Sequence, residues 1–230
     1  YGLTMQEITR TRKIMTKNKL FIPAFSIILT FLLFIFQFYS LQSPEVIPAS
    51  APDDEFSGAR AYQILENLLS ENKPHPVGSK LNKEVKKRIT SELNKLGVSF
   101  EEQRTWACGS RFNNCAPVEN IIATIPGSDK DSVIALMAHY DSVEMAPGAG
   151  DDGAAVAAIL ETTRALLLDA PFKNSIMLIF TDGEEAGLLG AEAFFKQHPL
   201  AKTIDLLLNF EGSGTKGGSM ILRTTEANEL

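Results

Sequence analysis

The chain has 230 residues, of which 44% are hydrophobic and 22% are charged, and its net charge at pH 7 is −6. This composition excludes a disordered chain and is sufficient for one hydrophobic core. Positive charge is concentrated near the N-terminus, so the remainder is acidic and lacks the basic stripe that nucleic-acid binding requires. We therefore expect one acidic folded domain with no nucleic-acid partner, while the oligomeric state stays open.

The N-terminal part of the sequence has the pattern of a membrane anchor. Residues 1–19 contain five basic side chains and one acidic side chain, whereas residues 20–41 contain no charge. An apolar run of about 20 residues can cross a bilayer, and flanking basic residues favour the cytoplasmic side. We therefore predict a cytoplasmic basic segment at 1–19 and a transmembrane helix at 20–41. The rest of the chain would lie on the lumenal, periplasmic or extracellular side; a cleaved signal peptide is the alternative.

After this anchor, the sequence indicates a linker and then two helices. Residues 42–54 are rich in proline, alanine and serine, so we expect a linker there and a folded domain over 55–230. Apolar residues at helical spacing predict helices over 56–69 and 81–96. His75 lies in the loop between them, and a histidine flanked by two prolines is more often structural than a ligand.

A predicted edge strand at 98–106 leads to the only two cysteines of the chain, Cys108 and Cys115. Their short, turn-rich separation allows a disulfide in an oxidising compartment. A zinc site at this pair is the weaker alternative, because no histidine is near it in the sequence.

From residue 120 onward, short apolar runs rich in β-branched residues alternate with helical segments. Strands are predicted at 120–125, 132–138, 175–181, 205–210 and 220–225, and helices at 154–168 and 188–197. This alternation predicts an α/β sandwich, in which functional side chains collect at the ends of the strands.

The first candidate site residues follow the apolar strand at 132–138. His139 and Asp141 are two residues apart and face the same side if the chain is extended. His139 is a candidate zinc ligand, and Asp141 is a candidate partner for its other ring nitrogen. Alone, this pattern is common and most often structural.

A second group of acidic residues precedes the helix at 154–168. Asp152 is expected to cap this helix, but a cap accounts for only one of the adjacent carboxylates Asp151 and Asp152. The preceding Pro147-Gly-Ala-Gly150 predicts a tight turn, on which a carboxylate is well placed to bridge two metal ions.

The third group follows the strands at 175–181 and 205–210. Glu184 and Glu185 are adjacent and point in different directions, so one can bind metal while the other acts as a base. Acidic residues in the first turn of a helix are the alternative explanation. Glu211 can supply a further ligand.

These residues resemble a known family, the co-catalytic di-zinc exopeptidases, and most resemble its membrane-anchored endoplasmic reticulum metallopeptidase (Felix-ina) group. The resemblance extends from about Phe56 to about Thr225. It is carried by His139-Tyr-Asp141, Gly150-Asp-Asp-Gly153, Asp182-Gly-Glu-Glu-Ala-Gly187 and Asn209-Phe-Glu211. It implies a three-layer α/β/α sandwich with a mixed, mostly parallel sheet, and a zinc peptidase domain over 55–230.

The resemblance also implies a function and residue roles. The expected function is a membrane-anchored exopeptidase, most simply an aminopeptidase, that acts on peptides with two zinc ions. His139 and Glu211 would bind the first zinc, Asp151 would bridge both and Glu185 would bind the second, while Glu184 would be the general base. Asp141 and Asp152 would lie behind the ligands.

The family completes its second zinc site with a histidine that neither His75 nor His198 matches, so we expect this ligand beyond Leu230. We accordingly expect the 230-residue chain alone to be an incomplete domain with poor activity. A receptor-like pseudoenzyme and a single-zinc cyclotransferase on the same fold are the alternatives.

Overall fold

The computed structural model of the protein describes residues 5–40, 42–109 and 111–212, together with 221 and 224. The chain divides into two compact units. The first comprises Tyr1–Glu45 and Lys216–Leu230, and the second comprises Val46–Thr215. The strand predicted at 220–225 lies outside the continuously described residues.

In the described part of the first unit there is one helix, α1, which covers Met5–Ser40. The basic segment and the apolar run that were predicted as separate elements therefore form a single helix. Within the described residues, no helix has both the length and the hydropathy that membrane crossing requires. The structure thus does not support the transmembrane helix predicted at 20–41.

The second unit contains the predicted α/β elements. Its helices are α2 (Gly58–Leu68), α3 (Lys80–Lys95), α4 (Ala154–Leu166) and α5 (Leu189–Gln197), and its strands are β1 (Phe100–Cys108), β2 (Cys115–Ile125), β3 (Asp129–His139), β4 (Asn174–Thr181) and β5 (Ile204–Asn209). Each helix and strand predicted between residues 56 and 210 is confirmed. The largest difference is the earlier start of β2, because its first residues pair with the end of β1.

Serine side chains set where the first two helices of this unit begin. The Ser57 hydroxyl accepts a hydrogen bond from the Arg60 amide at 3.2 Å, and the Ser79 hydroxyl accepts one from the Asn82 amide at 3.0 Å. Each bond satisfies one backbone N–H that has no partner within its helix. α3 ends just before Gly97, whose positive φ of 71° favours glycine.

The described strands form a five-stranded sheet in the order β1-β2-β4-β3-β5. β1–β2 and β2–β4 are antiparallel, whereas β3–β4 and β3–β5 are parallel. The predicted mixed sheet is confirmed, and most of its described strands are parallel in direction, because β1, β3, β4 and β5 point one way and only β2 runs opposite to them. The short loop between β1 and β2 permits only an antiparallel pair, whereas α4 supplies the long crossover that parallel β3 and β4 require.

Helices cover both faces of this sheet. Alternate residues of the central strands point to opposite faces, as the pleat requires. On one face, Phe180 and Ala138 belong to a buried cluster that includes side chains of α2, α3 and α4. On the other face, Met137 and Ile179 pack with Phe194 of α5. The predicted three-layer arrangement is therefore present.

Part of the segment predicted as a linker is bound to the folded unit. The Arg60 guanidinium donates hydrogen bonds to the carbonyls of Ala49 and Ala51 at 2.8 and 2.9 Å, and Arg164 donates to the carbonyl of Asp53 at 2.5 Å. The second compact unit of the structure begins at Val46, within the segment predicted as a linker. Hydrogen bonds from the two arginines to backbone carbonyls hold this part of the segment, and composition does not reveal them.

Both arginines also bind a single buried carboxylate, that of Glu161 on α4. The Nε atoms of Arg60 and Arg164 each lie 2.8 Å from a Glu161 oxygen, and the Ser57 amide donates to it at 3.1 Å. Burial opposes ionisation of Glu161, but hydrogen bonds from Arg164 and Arg60 outweigh it and lower its pKa.

We predict that Glu161→Gln lowers the free energy of unfolding of the full-length protein by about 3 kcal/mol at pH 7, because two arginines lose their buried counter-ion. A depressed pKa contributes stability above the ordinary glutamate pKa of about 4.3 and loses it as pH falls. The difference from wild type should therefore shrink below about pH 4. Urea unfolding at pH 7 and pH 3.5 checks this. Glu66→Gln, at an exposed position on α2, is the control. An effect of equal size at pH 7 and pH 3.5 would contradict the assignment.

Candidate metal centre

The predicted site residues meet at one edge of the sheet. β4, β3 and β5 are adjacent and parallel, so their carboxyl ends lie side by side. His139 is the last residue of β3, Glu184 follows the end of β4 and Glu211 follows the end of β5. Chain topology alone therefore gathers three of the predicted side chains at this edge.

His139 is 3% exposed, and its two ring nitrogens face different groups. Nε2 lies 3.0 Å from Oδ1 of Asp151 and 3.8 Å from Oε1 of Glu211. Nδ1 lies 3.1 Å from the backbone carbonyl oxygen of Asp141. The ring is therefore held from behind, with Nε2 directed at two carboxylates.

The Asp141 carboxylate connects the ends of β3 and β4. Its two oxygens accept hydrogen bonds from the backbone amides of Glu184 and Glu185, at 2.9 and 3.2 Å. One of these oxygens also lies 3.4 Å from Nδ1 of His139. Asp141 thus positions the imidazole and the two glutamates together, a link that sequence reasoning did not anticipate.

Asp151 and Asp152 lie in a tight turn between Ala149 and Gly153, joined by a cis peptide bond. Asp152 is buried, and its carboxylate accepts a hydrogen bond from the His139 amide at 3.2 Å. The expectation that Asp152 caps α4 is therefore wrong, because its side chain reaches β3 instead. The N-cap of α4 is Gly153, which offers no side-chain bond.

Within the described residues, two groups of side chains bring metal-ligating atoms within 4.8 Å of one another. The first group is His139, Asp151 and Glu211, and the second is His139, Glu184 and Glu185. One imidazole nitrogen with several carboxylate oxygens suits zinc, whose protein ligands include histidine, aspartate and glutamate. The predicted ligands and the predicted base are therefore brought together around one histidine.

The electrostatics of this cluster favour a cation. Burial and the nearby charge of Glu211 raise the pKa of Asp152 to about 8, although the charge of His139 acts in the opposite direction. Burial and neighbouring carboxylates likewise raise the pKa values of Glu184 and Glu211. Burial lowers the pKa of His139, but its bond to Asp141 and the surrounding carboxylates outweigh burial and raise it to about 10. Carboxylates crowded in this way are stabilised by a bound divalent ion, so the residues fit zinc.

Sequence reasoning missed the role of Asp182, which directly follows β4. Its buried carboxylate accepts hydrogen bonds from Nδ2 of Asn82 at 3.0 Å and from the Glu119 amide at 3.1 Å. Burial and the charge of Asp141 raise the pKa of Asp182 to about 7. Asp182 thus fixes the start of the turn that carries Glu184, and its place after an apolar strand was the available signal.

The other two histidines do not belong to either ligand group. His75 is buried, and its Nε2 lies 2.8 Å from the carbonyl oxygen of Tyr140, which agrees with the predicted structural role. The His198 ring stacks on Phe194 at 5.1 Å, and its Nε2 lies 3.5 Å from Glu101. Both side chains are therefore engaged elsewhere in the fold.

Comparison with known sequences gives a consistent family. Residues 120–230 match peptidase family M28. The chain is 32% identical over 204 residues to the vacuolar membrane protease of Schizophyllum commune, a match that covers 84% of this chain and 22% of that protein. It is 27% identical over 206 residues to endoplasmic reticulum metallopeptidase 1 of Mus musculus, covering 82% and 23%. The chain thus spans about a fifth of the length of these relatives.

Comparison with solved structures supports the fold. A zinc-dependent exopeptidase from Parabacteroides distasonis has a TM-score of 0.61 at 22% identity, covering 73% of this chain and 64% of that chain. A glutaminyl cyclase from Porphyromonas gingivalis also has a TM-score of 0.61 at 22% identity, covering 69% and 60%. Because an exopeptidase and a glutaminyl cyclase share this fold, structural likeness alone does not select between their two reactions.

The mixed five-stranded sheet with helices on both faces is thus of the zinc-exopeptidase type. The chain carries a peptidase family M28 domain and is homologous to the vacuolar membrane proteases and endoplasmic reticulum metallopeptidase 1.

Proposed function

We propose that the intact protein is a zinc-dependent exopeptidase of the aminopeptidase type, acting on peptides with two zinc ions. The observation that carries this proposal is the convergence of five side chains able to bind metal, in two groups that share His139; four are proposed as ligands and Glu184 as the base. Membership of a peptidase family supports a hydrolytic role for the same residues.

Each side chain has a proposed place in the metal centre. His139 and Glu211 would hold the first zinc, and Asp151, whose Oδ1 lies 3.0 Å from Nε2 of His139, would be shared with the second. Glu185 would hold the second zinc. Asp141 and Asp152 would not bind metal but would position the residues that do. Asp141 accepts hydrogen bonds from the amides of Glu184 and Glu185, and Asp152 accepts one from the amide of His139.

When bound, zinc supplies Lewis-acid polarisation of the scissile carbonyl and lowers the pKa of water in the site. Glu184 is the general base that takes a proton from the attacking water and delivers it to the leaving amine. Its side chain is 20% exposed, and its backbone amide is held by Asp141. Partial burial, which raises its pKa, makes this carboxylate a better proton acceptor.

The test is zinc analysis of the full-length protein together with hydrolysis of aminoacyl p-nitroanilides. We expect two zinc ions per chain, loss of activity after removal of zinc by a chelator, and recovery when zinc is returned. Formation of pyroglutamate from N-terminal glutamine with one zinc ion would favour the cyclotransferase. Turnover of neither substrate by the zinc-loaded protein would favour the pseudoenzyme.

We also propose that the protein is attached to a membrane, with its peptidase domain on the non-cytoplasmic side. The names of the vacuolar membrane protease relatives and the uncharged run at 20–41 in the sequence support this proposal. Retention of the full-length protein in the membrane fraction after carbonate washing tests it, and release into the soluble fraction would refute it.

A further inference from the structure

A short loop between β1 and β2 reaches the metal centre. It is defined here as the disulfide loop, residues 108–115, because Cys108 and Cys115 at its ends form a disulfide with sulfurs 2.09 Å apart. Inside it, the Gly109 amide donates a hydrogen bond to the carbonyl of Asn114 at 2.9 Å. The ends of the loop are therefore closed by a covalent and a hydrogen bond.

The disulfide loop is packed against the turn that carries the proposed general base. Nδ2 of Asn114 donates to the carbonyl of Ala186 at 3.1 Å. At Gly187, an added Cβ would lie 3.2 Å from the Phe112 ring, and at Gly109 one would lie 2.5 Å from the Gly187 carbonyl oxygen. The loop and the turn are therefore in close contact at these positions.

The loop places one positive charge beside this base. The Arg111 guanidinium lies 5.1 Å from the centre of the Phe112 ring, and its Nη1 is 3.9 Å from Oε1 of Glu184. The Arg111 side chain is 56% exposed, so its remaining donors are open to solvent. In the described part of the chain, no other arginine or lysine forms an ion pair with a carboxylate of the two ligand groups.

We propose that Arg111 is a specificity-determining residue that binds a substrate carboxylate on the leaving-group side of the scissile bond. This inference rests on the proposed peptidase function. Glu184 delivers its proton to the leaving amine, so the atoms attached to that amine lie near Glu184 and within reach of Arg111. A carboxylate entering this acidic site meets repulsion unless a cation binds it, and a guanidinium binds carboxylates through two parallel hydrogen bonds.

Two kinds of substrate can present this carboxylate. One is a dipeptide, whose free C-terminal carboxylate lies on the leaving residue. The other is a longer peptide with aspartate or glutamate in the leaving position. In both cases Arg111 would bind a carboxylate. Substrates that carry only the terminal carboxylate or only the side-chain carboxylate distinguish the two cases.

The test measures kcat and KM of the full-length protein for four substrates: Ala-Ala with a free carboxylate, Ala-Ala amide, Ala-Asp amide and Ala-Asn amide. In Arg111→Gln we expect KM for the carboxylate-bearing substrates to rise on the order of 10–100-fold, the usual effect of losing a charged hydrogen-bonded pair. Because Arg111 also lies beside Glu184, its loss acts on all four substrates, so the deciding quantity is the KM of each carboxylate-bearing substrate relative to its neutral counterpart, which should rise. An effect on Ala-Ala alone identifies the terminal carboxylate, and an effect on Ala-Asp amide identifies a side chain.

Arg104→Gln is the matched control, because Arg104 is an exposed arginine on β1 that pairs with Glu102 outside the metal centre. It should leave all four KM values unchanged. Arg111→Lys keeps the charge without the two-pronged geometry and should recover part of the preference. Equal losses on charged and neutral substrates in Arg111→Gln would overturn the inference and leave the peptidase function standing.

A binding measurement separates this inference from the proposed function. In Glu184→Gln, calorimetry should show Ala-Ala binding at least about 10-fold more tightly than Ala-Ala amide. The further change Arg111→Gln should remove that difference. Binding does not require turnover. If the wild-type protein hydrolyses no peptide while Glu184→Gln still prefers Ala-Ala, the proposed function is refuted and the role of Arg111 stands. Equal binding of the two ligands to Glu184→Gln would refute the role of Arg111.

Discussion

Glu184→Gln is expected to retain zinc and to lower kcat of the full-length protein by about 10²–10⁴-fold, the usual contribution of general acid–base catalysis. Glutamine has nearly the same shape as glutamate, so the turn held by Asp141 should persist. What is lost is the group that accepts the proton of water and donates it to the leaving amine. Single-turnover kinetics with an aminoacyl p-nitroanilide, together with zinc analysis of the same samples, measures both quantities.

Glu144→Gln is the matched control for this variant. Glu144 is an exposed glutamate five residues after His139, the last residue of β3. It should retain wild-type kcat. Two results would count against the proposed role of Glu184. One is unchanged turnover in Glu184→Gln, and the other is loss of zinc, which would identify Glu184 as a ligand rather than the base.

The second large effect is expected from Asp151→Ala. The proposed bridging carboxylate contributes to both zinc sites, and removal of a partner that only orients a ligand already costs 10–100-fold in metal affinity. We therefore expect at most one zinc ion per chain, affinity reduced by more than about 10²-fold, and loss of peptide hydrolysis. Competition with a zinc-binding dye and elemental analysis of the full-length protein measure these changes.

The Asp151 side chain is 52% exposed, so its removal should leave the core intact. Thermal unfolding of the metal-free protein should confirm this by giving the wild-type midpoint. Asp169→Ala, at an exposed position just after α4, is the control and should bind two zinc ions. If Asp151→Ala also retained two ions at wild-type affinity, the bridging assignment would be wrong.

Local patterns were sufficient for most of the secondary structure. Residues 133–138 of β3 and 176–180 of β4 are continuous hydrophobic runs, and Ser57 and Ser79 mark helix starts by a local hydrogen bond. Such signals depend on residues close together in the sequence, so they can be read without a structure. Strand order is not a local feature, because it depends on which strands pair, and the order β1-β2-β4-β3-β5 was not predicted.

The extent of the folded unit was also outside the reach of local patterns. Residues 42–54 were predicted as a linker from their composition, yet Arg60 and Arg164 bind the carbonyl oxygens of Ala49 and Asp53 in this segment. Arg164 is 111 residues from Asp53 in sequence, and the buried Glu161 is 101 residues from Arg60. Contacts of this kind appear only after the chain has folded.

The same division holds for the metal centre. The sequence by itself determined which residue types are present and that His139, Glu184 and Glu211 follow strands, because a strand end is a local feature. Only the tertiary structure decided that Asp152 binds the His139 amide rather than capping α4, that Asp141 holds Glu184, and that Arg111 lies beside it. The physical reason is that these bonds join residues on different elements, whose relative positions are set by strand order and packing rather than by sequence neighbours.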